Sequence, residues 1–597
     1  MHTIDFEPVG LRGECPEGES LLGCARRLDV DLVSLCGGMG ACRQCRVQVV
    51  AGPVSGRTAS EEAVFSGRER NHRLACQAYP LGDVKVHVPP ESLTAPQRTQ
   101  VEGLELDVRP DPPVRGCEVT LSPPSLAAPD SDDLNLRAAL ERGHGVEVDA
   151  IDYAVLREIS PRLRQWDWRA SAAVRAGEVV ALGAPSTRWL GLAVDIGTTK
   201  IACYLVDLQT GRTLCSRGLM NPQIAGGEDV IARIYTAGKD PENADRLQGM
   251  LVEALNRTVG ELSAEAGAER TDIAEAVVVG NTAIHHLFLR LPVGQLGQSP
   301  YVPALRCALD VKARDLGMEL APGAWVHLLP NIAGFCGADH VAMILATRLA
   351  EREGTSLALD IGTNTEICLN VRGRMTSVSC ASGPAFEGAH IRYGMRAAPG
   401  AIEHVCLDGD RLEIQTIGNE PPIGICGSGL LDVAAQLRIH GVLDSGGRML
   451  AHPRVREREG VREFVICERG GREPITVSQQ DVRELQLAKA AIRLGIRALC
   501  EAEGLDERAV GEVVVAGAFG TFIDIDSAVA IGMLPPLPRE RYRQVGNAAG
   551  TGARLALVSL ERRREAERIA LACRYIELAG IPGFHHRFAA ACAMDRG

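Results

Sequence analysis

The sequence predicts a multidomain protein with a small N-terminal α+β domain, a small α/β middle domain and a large C-terminal α/β domain that contains a duplication. Its 597 residues are too many for one ordinary hydrophobic core. Cysteines and glycines are closely spaced near the N-terminus, and the segment Asp-x-Gly-Thr occurs twice in the C-terminal part, each time after an apolar run. We expect the first domain at 1–90, a linker at 91–115, the middle domain at 116–190 and the C-terminal domain at 191–597.

The composition excludes several classes of function. The formal net charge is −12, so no nucleic-acid partner is expected, because binding to a phosphate backbone requires clustered Lys and Arg. No apolar run approaches the roughly 20 residues that cross a bilayer, and the first residues lack the basic and apolar regions of a signal peptide. We therefore expect a cytoplasmic protein without a membrane partner, whose 19 cysteines are thiols and metal ligands rather than disulfides.

The first domain has the pattern of short strands around one helix. Apolar residues at helical spacing predict a helix over residues 19–30. Alternating apolar and polar residues predict strands at 46–50 and 84–88. Two consecutive prolines, Pro89 and Pro90, end this unit.

The linker and the middle domain carry fewer signals. Prolines between residues 109 and 113 are typical of a semi-rigid linker. In the middle domain, periodicity predicts a helix at 134–142 and a strand at 178–182. No residue pattern in this domain indicates chemistry.

Four cysteines of the first domain have the spacing of an iron–sulfur site. Cys36, Cys42 and Cys45 form a C-x5-C-x2-C run, and Cys76 follows at a distance. A plant-type [2Fe–2S] site uses a C-x4-C-x2-C run and a distant fourth cysteine, so the first gap here is one residue longer. Glycines within this run let backbone N–H groups turn towards the sulfurs and stabilise the reduced cluster.

Two other interpretations of these cysteines are a zinc site and four unrelated thiols. Zinc ligands usually come as two close pairs, whereas here a triplet is followed by one distant cysteine. The glycines between the cysteines weigh against unrelated thiols. Cys15 and Cys24 lie outside the pattern and are expected to be buried thiols.

The cysteine segment resembles a known module. Residues 36–45, together with residues 73–78, resemble the [2Fe–2S] ferredoxin module with a five-residue first gap. The resemblance implies a ferredoxin-like β-grasp fold for the first domain.

Two copies of a strand and a turn predict a phosphate clamp. Residues 192–199 and 357–364 each end an apolar run with Asp-x-Gly-Thr. The glycine lets backbone N–H groups approach phosphate oxygens, the threonine hydroxyls add donors, and the aspartate lies where Mg²⁺ and its waters would be held. A strand ending in glycine follows each copy, at 276–280 and 512–517, which indicates two similar lobes. One such turn often only joins a hairpin, but two that face each other across a cleft form a clamp.

The clamp resembles the nucleotide site shared by acetate and sugar kinases, heat-shock 70 proteins and actin. The resemblance covers residues 191–597 and implies a duplicated actin-like ATPase fold that binds ATP with Mg²⁺. It also implies a first phosphate loop, a second phosphate loop and an adenosine contact, formed respectively by Asp195, Gly197, Thr198 and Thr199, by Asp360, Gly362, Thr363 and Asn364, and by Gly517 and Gly520.

Five further features carry weaker signals than the two clamp turns. Lys200 adds charge to the phosphates or is simply solvated, and Glu366 is a candidate for orienting the attacking water. Core packing competes with nucleotide contact for the glycine turn at 517–520, and residues 546–553 suit a hinge helix that packs closely on another. His285 and its neighbour His286 are assigned to packing, because adjacent helical residues point about 100° apart.

The order of these parts resembles one family, the reductive activators of corrinoid proteins. Residues 221–223, 279–283, 382–389 and 425–430 fit it as well. The resemblance implies an ATP-dependent reductase that passes one electron from its [2Fe–2S] cluster to the Co(II) corrinoid of a methyl-carrier protein and regenerates Co(I). It implies a corrinoid protein as partner and an unidentified low-potential electron donor, and a homodimer is an open option.

Two alternative functions remain at this stage. One is an ATP-gated electron donor to another iron–sulfur enzyme, similar to the activators of 2-hydroxyacyl-CoA dehydratases, although those hold their cluster between two subunits. The other is a small-molecule kinase with a regulatory ferredoxin domain. A kinase needs a substrate pocket and a catalytic acid, and the sequence identifies neither.

Overall fold

The computed structural model describes most of the chain. The described residues are 2–7, 11–28, 30, 32, 38–40, 45–65, 71–88, 92, 108–227, 229–388, 390–409, 411–470, 472–517 and 519–595. Within these ranges, no helix combines the length and the apolar character needed to span a bilayer.

The first domain is a five-stranded sheet with one main helix. Its elements are β1 (His2–Glu7), β2 (Leu11–Cys15), α1 (Leu21–Arg27), β3 (Arg46–Ala51), α2 (Ala59–Glu62), β4 (His72–Leu74) and β5 (Val84–His87). The strand order is β2-β1-β5-β3-β4, with a parallel β1–β5 pair between antiparallel neighbours. The helix is shorter than the predicted 19–30, because the side chain of Ser20 accepts a hydrogen bond from the Gly23 N–H and caps it at the start.

The middle domain is a four-stranded sheet covered by two helices. Its elements are β6 (Val114–Thr120), α3 (Asp132–His144), β7 (Ala150–Ile151), α4 (Tyr153–Gln165), β8 (Arg169–Arg175) and β9 (Glu178–Gly183), with strand order β6-β8-β9-β7. The predicted helix and strand fall within α3 and β9. Strand β6 begins inside the expected linker 91–115, of which residues 91 and 93–107 lie outside the described part of the chain.

The C-terminal domain consists of two lobes, each built on a six-stranded sheet. The first contains β10 (Leu190–Ile196), β11 (Lys200–Asp207), β12 (Thr213–Met220), α5 (Val230–Lys239), α6 (Pro241–Ala266), β13 (Ile273–Gly280), α7 (Thr282–Phe288), β14 (Leu309–Lys312), β15 (Trp325–Leu328) and α8 (Ala338–Thr347). The second contains β16 (Thr355–Ile361), β17 (Thr365–Val371), β18 (Arg374–Cys380), β19 (Ala401–Asp408), β20 (Arg411–Thr416), β21 (Gly424–Ile425), α9 (Gly427–Ile439), β22 (Val455–Arg458), β23 (Val461–Arg469), β24 (Arg472–Ser478), α10 (Gln479–Ala502), β25 (Glu512–Ala516), α11 (Ile525–Ala530), β26 (Tyr542–Gln544), α12 (Ala548–Val558), α13 (Leu560–Ala572), β27 (Arg574–Tyr575) and α14 (Phe584–Ala591).

Five strands of the two sheets correspond in order, which confirms the predicted duplication, whereas the sixth strand, β14 or β27, lies at opposite edges. Their strand orders are β12-β11-β10-β13-β15-β14 and β26-β25-β16-β17-β18-β27. In each, the strand before the Asp-x-Gly-Thr turn pairs with an antiparallel neighbour on one side and with the late glycine-ended strand, in parallel, on the other. Asp195 and Asp360 therefore occupy corresponding positions at the carboxyl ends of β10 and β16.

Helices α12 and α13 stand among the second-lobe elements in chain order but pack on the first lobe. They follow β26 of the second sheet, but their buried residues belong to the same core as β10, β13 and α8. A Cβ atom on Gly552 of α12 would lie 2.1 Å from the Ala342 carbonyl oxygen of α8. Glycine is therefore needed for this close helix contact, as the small residues at 546–553 indicated.

The middle domain is fixed to the first lobe by buried ion pairs. Glu275 on β13 has no exposed surface and pairs with Arg175 of β8 at 2.9 Å and with Arg563 of α13 at 2.8 Å. Lys312 of the first lobe lies 2.9 Å from Asp152 of the middle domain. Removing one partner of a buried pair costs about 3–5 kcal/mol, so these pairs help to hold the middle domain on the first lobe.

The contact between α12 and α8 gives a prediction on stability. Gly552→Ala should lower the unfolding temperature, since the added methyl group meets the Ala342 carbonyl and overpacking costs about 1–3 kcal/mol. Gly249→Ala is the matched control, because Gly249 lies exposed within α6 with nothing within 4 Å of the added Cβ. This control should instead gain about 0.5–1 kcal/mol from helix propensity. Calorimetry distinguishes the two, and equal shifts would contradict the packing.

Candidate functional site

A cleft separates the two lobes, and the predicted nucleotide residues converge on it. Of these residues, all except Gly362 and Gly520 line the cleft: Asp195, Gly197, Thr198, Thr199, Lys200, Asp360, Thr363, Asn364, Glu366 and Gly517. The turns after β10 and β16 enter it from opposite sides.

The two turns meet in the centre of the cleft. The hydroxyl oxygens of Thr199 and Thr363 lie 3.3 Å apart, although one belongs to each lobe. A Cβ atom on Gly197 would lie 2.7 Å from the Lys200 carbonyl oxygen, so only glycine fits the tight first turn. The geometry of two facing phosphate loops is therefore present.

Buried polar side chains hold the first turn in shape. The amide of Asn221 donates to the Gly197 carbonyl at 2.8 Å, and that of Asn281 donates to the Thr198 hydroxyl at 3.1 Å. The fully buried guanidinium of Arg233 donates to the Thr198 carbonyl at 2.5 Å. These bonds to its carbonyls fix the turn in the shape in which successive N–H groups form an anion-binding concavity.

Carboxylates crowd the same cleft. Burial raises the pKa of Asp195 to about 6, although a 2.9 Å hydrogen bond from the Asn547 amide lowers it in part. Burial and the charge of Asp195 raise the pKa of Asp360 to about 7. Burial and neighbouring carboxylates also raise the pKa values of Asp339 and Glu366. A cation in the cleft would relieve this repulsion.

The arrangement fits Mg²⁺ that arrives with a nucleotide. Among the described residues, no group of three His, Cys, Asp or Glu side chains is close enough to hold a metal ion. Mg²⁺ does not require such a group, since it keeps several waters and binds one or two carboxylates together with phosphate oxygens.

Aromatic rings and glycines form another wall of the cleft. The rings of Phe386 and Phe519 stack with centroids 4.6 Å apart. Gly517 has φ +90°, and a Cβ there would lie 2.6 Å from an Asp360 carboxylate oxygen. Gly520 lies just outside the cleft, where its carbonyl accepts a 2.8 Å hydrogen bond from Gln544, so glycine there serves the turn itself.

Sequence reasoning missed three side chains that line the cleft, namely Asp339, Glu387 and Asn547. Asp339 lies in the first turn of α8, where an acidic residue is also typical of an ordinary helix start. Glu387 and Asn547 lie within segments that were singled out, but no local pattern indicated a role for either. Their positions depend on the approach of the two lobes.

His285 and His286 take no part in the cleft. Both are buried in α7, and burial lowers the pKa of His285 to about 3. The ring of His286 accepts a 3.1 Å hydrogen bond from the Leu305 N–H. Both residues therefore belong to the core, as expected.

The first domain brings two of the predicted cluster cysteines together. Cys45 precedes β3 and Cys76 follows β4, both are buried, and the Ala75 N–H donates to the Cys45 carbonyl at 2.7 Å. Cys36 and Cys42 lie outside the described residues. The Gln77 amide donates to the Gly38 carbonyl at 2.8 Å, which ties the loop beside Cys36 to the Cys76 segment.

The surrounding geometry suits a cluster loop. Gly38 and Gly40 have φ values of +98° and +76°, a region that glycine enters without strain. Cys15 and Cys24 are completely buried, and burial raises the pKa of Cys15 to about 12. These two are neutral buried thiols.

Four family models match the chain and together cover most of it. They are the 2Fe-2S iron-sulfur cluster binding domain over 4–81, the RACo linker region over 103–188, the RACo middle region over 190–352 and the C-terminal (ASKHA) domain of RACo over 354–596.

One relative extends over both the ferredoxin domain and the lobes. The corrinoid activation enzyme RamQ of Eubacterium limosum is 32% identical over 588 residues, which is 95% of each chain. The chain belongs to the family of reductive activators of corrinoid proteins. A second relative, the [Co(II) methylated amine-specific corrinoid protein] reductase of Methanosarcina barkeri, is 24% identical over 64% of this chain and 72% of its own length.

A solved member of the family has the same architecture. The reductive activator for corrinoid, iron-sulfur protein superposes with a TM-score of 0.74 and 32% identity, covering 100% of this chain and 98% of its own. As a reductive activator with a 2Fe-2S domain and an ASKHA domain, the protein carries a [2Fe–2S] cluster and binds ATP with Mg²⁺. The family models divide the chain under other names. Their linker region, 103–188, contains the unit called the middle domain above, and their middle region, 190–352, corresponds to the first lobe.

Cysteine substitutions test the cluster of this reductive activator. Cys45→Ser and Cys76→Ser should each remove most of the visible absorbance and most of the roughly two iron and two acid-labile sulfide per chain. Cys24→Ala, in the same domain, is the matched control and should keep both. Binding of ATP should be unchanged in all three. Full iron content in the Ser variants, or zinc in place of iron in anaerobically prepared protein, would contradict the assignment.

The raised pKa values of the cleft carboxyls predict how stability depends on pH. In protein without nucleotide, Asp195 and Asp360 stay protonated up to about pH 6 and about pH 7, whereas in the unfolded chain they ionise near pH 4. The folded form therefore binds more protons between about pH 4 and pH 7, and its stability falls as the pH rises through that window. Mg·ATP, which needs ionised carboxylates, should bind more tightly as the pH rises.

A charge-removing variant checks this dependence. Asp339→Asn should raise the unfolding temperature of nucleotide-free protein at about pH 8, because it removes one repelling carboxylate. The exposed Asp130 supplies the control Asp130→Asn, which should leave the temperature unchanged. Calorimetry from about pH 5 to about pH 8 measures both, and a flat wild-type profile would refute the prediction.

Proposed function

We propose that this reductive activator uses ATP to deliver one electron from its [2Fe–2S] cluster to the Co(II) corrinoid of a methyl-carrier protein, which regenerates Co(I). The observation that carries the proposal is that a ferredoxin domain and a two-loop nucleotide cleft occur in one chain that aligns over 95% of its length with a corrinoid activation enzyme. The names of both curated relatives favour a corrinoid acceptor over a kinase substrate or another iron–sulfur enzyme.

In this proposal the two turns bind the phosphates of ATP. Asp195 and Asp360 hold Mg²⁺ through its waters, and Glu366 orients the attacking water. The remaining residues donate to phosphate oxygens, let the backbone approach them or shape the adenosine wall: Gly197, Thr198, Thr199, Lys200, Gly362, Thr363, Asn364, Gly517 and Gly520. Lys200 lines the cleft, and we assign it the role of neutralising phosphate charge.

Cys36, Cys42, Cys45 and Cys76 are the proposed cluster ligands. The cluster supplies one-electron transfer when bound. Burial of Cys45 and Cys76 keeps water from their sulfurs, and the Gln77 amide, 3.8 Å from the Cys76 sulfur, supplies a donor to it. Such donors favour the reduced, more negative form.

The role of ATP follows from the potential of the acceptor. Co(I) forms only at very negative potential, so the transfer runs uphill, and about 59 mV in a one-electron step is a factor of ten. A nucleotide can offset this only by favouring one conformation or complex over another. When the two loops of the cleft close on phosphate, the nucleotide-bound conformation differs from the nucleotide-free one. The surface offered to the corrinoid protein then changes as well.

Further parts of the proposal concern the surroundings of the protein. We place it in the cytoplasm, where reducing conditions maintain thiols. An external low-potential donor reduces the cluster again after each transfer. A homodimer is the assembly to be tested by light scattering.

Two variants separate electron delivery from ATP use. With a chemical reductant under anaerobic conditions, a Co(II) corrinoid protein should gain Co(I) absorbance only when ATP is present. Cys45→Ser should abolish this reduction but keep the stimulation of ATP hydrolysis by the Co(II) protein. Asp360→Ala should keep the cluster absorbance and lose ATP-dependent reduction, because it removes a carboxylate from the clamp. Co(I) that appears equally fast without nucleotide would falsify the coupling.

A further inference from the structure

Glu387 joins the two phosphate loops. One oxygen of its carboxylate accepts a hydrogen bond from the Thr199 hydroxyl at 3.1 Å and another from the Thr363 hydroxyl. Thr199 belongs to the first lobe and Thr363 to the second. A single carboxylate oxygen therefore contacts both lobes at the point where their turns meet.

The backbone around Glu387 is anchored to the second lobe. The residue ends a short 3₁₀ helix, Pro384–Glu387, and is followed by Gly388 with φ +81°. A Cβ on Gly388 would lie 2.6 Å from the Met395 nitrogen, so the chain is tightly packed there. The ring of Phe386, 4% exposed, stacks on Phe519. The reach of the Glu387 side chain is thus set by the fold.

The charges around Glu387 are those that a phosphate would meet. Burial lowers the pKa of Lys200, and the Glu387 carboxylate opposes that shift. Burial also lowers the pKa of Arg233 to about 10, and Glu387 is among the groups that oppose it. An anion held by two hydroxyl donors beside two cations has the surroundings of a bound phosphate oxygen.

The other cleft carboxylates have different partners. Asp195 accepts from the Asn547 amide, and Glu366 accepts from the Ser379 hydroxyl at 3.1 Å. Within the described part of the chain, Glu387 is the one carboxylate that accepts hydrogen bonds from the threonine hydroxyls of both loops. Its position is therefore specific to the phosphate donors.

We propose that Glu387 senses the terminal phosphate, because its carboxylate and that phosphate compete for the hydroxyls of Thr199 and Thr363. ATP displaces the carboxylate, and part of its binding free energy goes into this displacement. ADP ends one phosphate earlier and leaves Glu387 on both hydroxyls. The contact between the lobes therefore changes with ATP and not with ADP. This inference rests on the proposed function, since it requires phosphates to bind between the two loops.

The test compares two nucleotides in one variant of the full-length protein. Glu387→Gln keeps an acceptor oxygen and removes the charge that repels a phosphate. Titration calorimetry with Mg²⁺ should show about a tenfold tighter Kd for a non-hydrolysable ATP analogue and a Kd for ADP within about twofold of wild type. Glu387→Ala should shift the ratio of the two constants in the same direction. Glu540→Gln, on the exposed surface of the second lobe, should leave both constants unchanged.

Each other outcome overturns a defined statement. An equal change for both nucleotides indicates a merely structural role and overturns the sensor. Weaker binding of the ATP analogue by Glu387→Gln would show that the carboxylate helps to hold phosphate or Mg²⁺. Unchanged dissociation constants for both nucleotides would show that the carboxylate and the phosphate do not compete. Either result overturns the sensor and leaves the proposed ATP site standing. Wild-type protein that binds neither nucleotide overturns the proposed function, and the sensor with it.

Discussion

The opposition of two strand-end turns across one cleft is the constraint on which the rest of the structure depends. Thr199 and Thr363 lie within 3.3 Å only because the two lobes are held at a fixed approach. Helix α12 follows β26 of the second sheet and packs in the first lobe, where Gly552 lets it lie directly on α8. The same helix begins at Asn547, whose amide binds the Asp195 carboxylate. The helix that connects the second sheet to the first lobe therefore also orients a side chain of the site.

The electrostatics of the cleft explain why it responds to a ligand. One set of carboxylates with raised pKa values and a second set of cations, Lys200 and Arg233, whose pKa values are lowered by burial, lie in and beside the cleft. A nucleotide with Mg²⁺ brings a cation to the first set and phosphate to the second. A ligand shifts a conformational equilibrium by its difference in affinity for the two states, and relief of the repulsion between these carboxylates by a bound cation contributes to such a difference.

The attachment of the middle domain determines where such a change can travel. Glu275 ties β8 of the middle domain and α13 to the same strand of the first lobe. The backbone of Asp111, just before β6, also hydrogen-bonds to Val558 and Leu560 at the α12–α13 junction. The middle domain is therefore joined to the first lobe both through its sheet and at the start of β6.

The sequence by itself determined the parts that depend on local chemistry. Turn glycines, strand periodicity and cysteine spacing act over a few residues, so the duplication, the two Asp-x-Gly-Thr turns and the ferredoxin module were predictable. It overestimated the length of the first helix, which Ser20 caps at its start and which ends at Arg27, and it placed the end of the linker inside β6. Only the tertiary structure decided the roles of Asp339, Glu387 and Asn547, the return of α12 and α13 to the first lobe, and the ion pairs of Glu275. These contacts join residues that are far apart along the chain, 352 positions for Asn547 and Asp195, and no local pattern carries information about which distant surfaces meet.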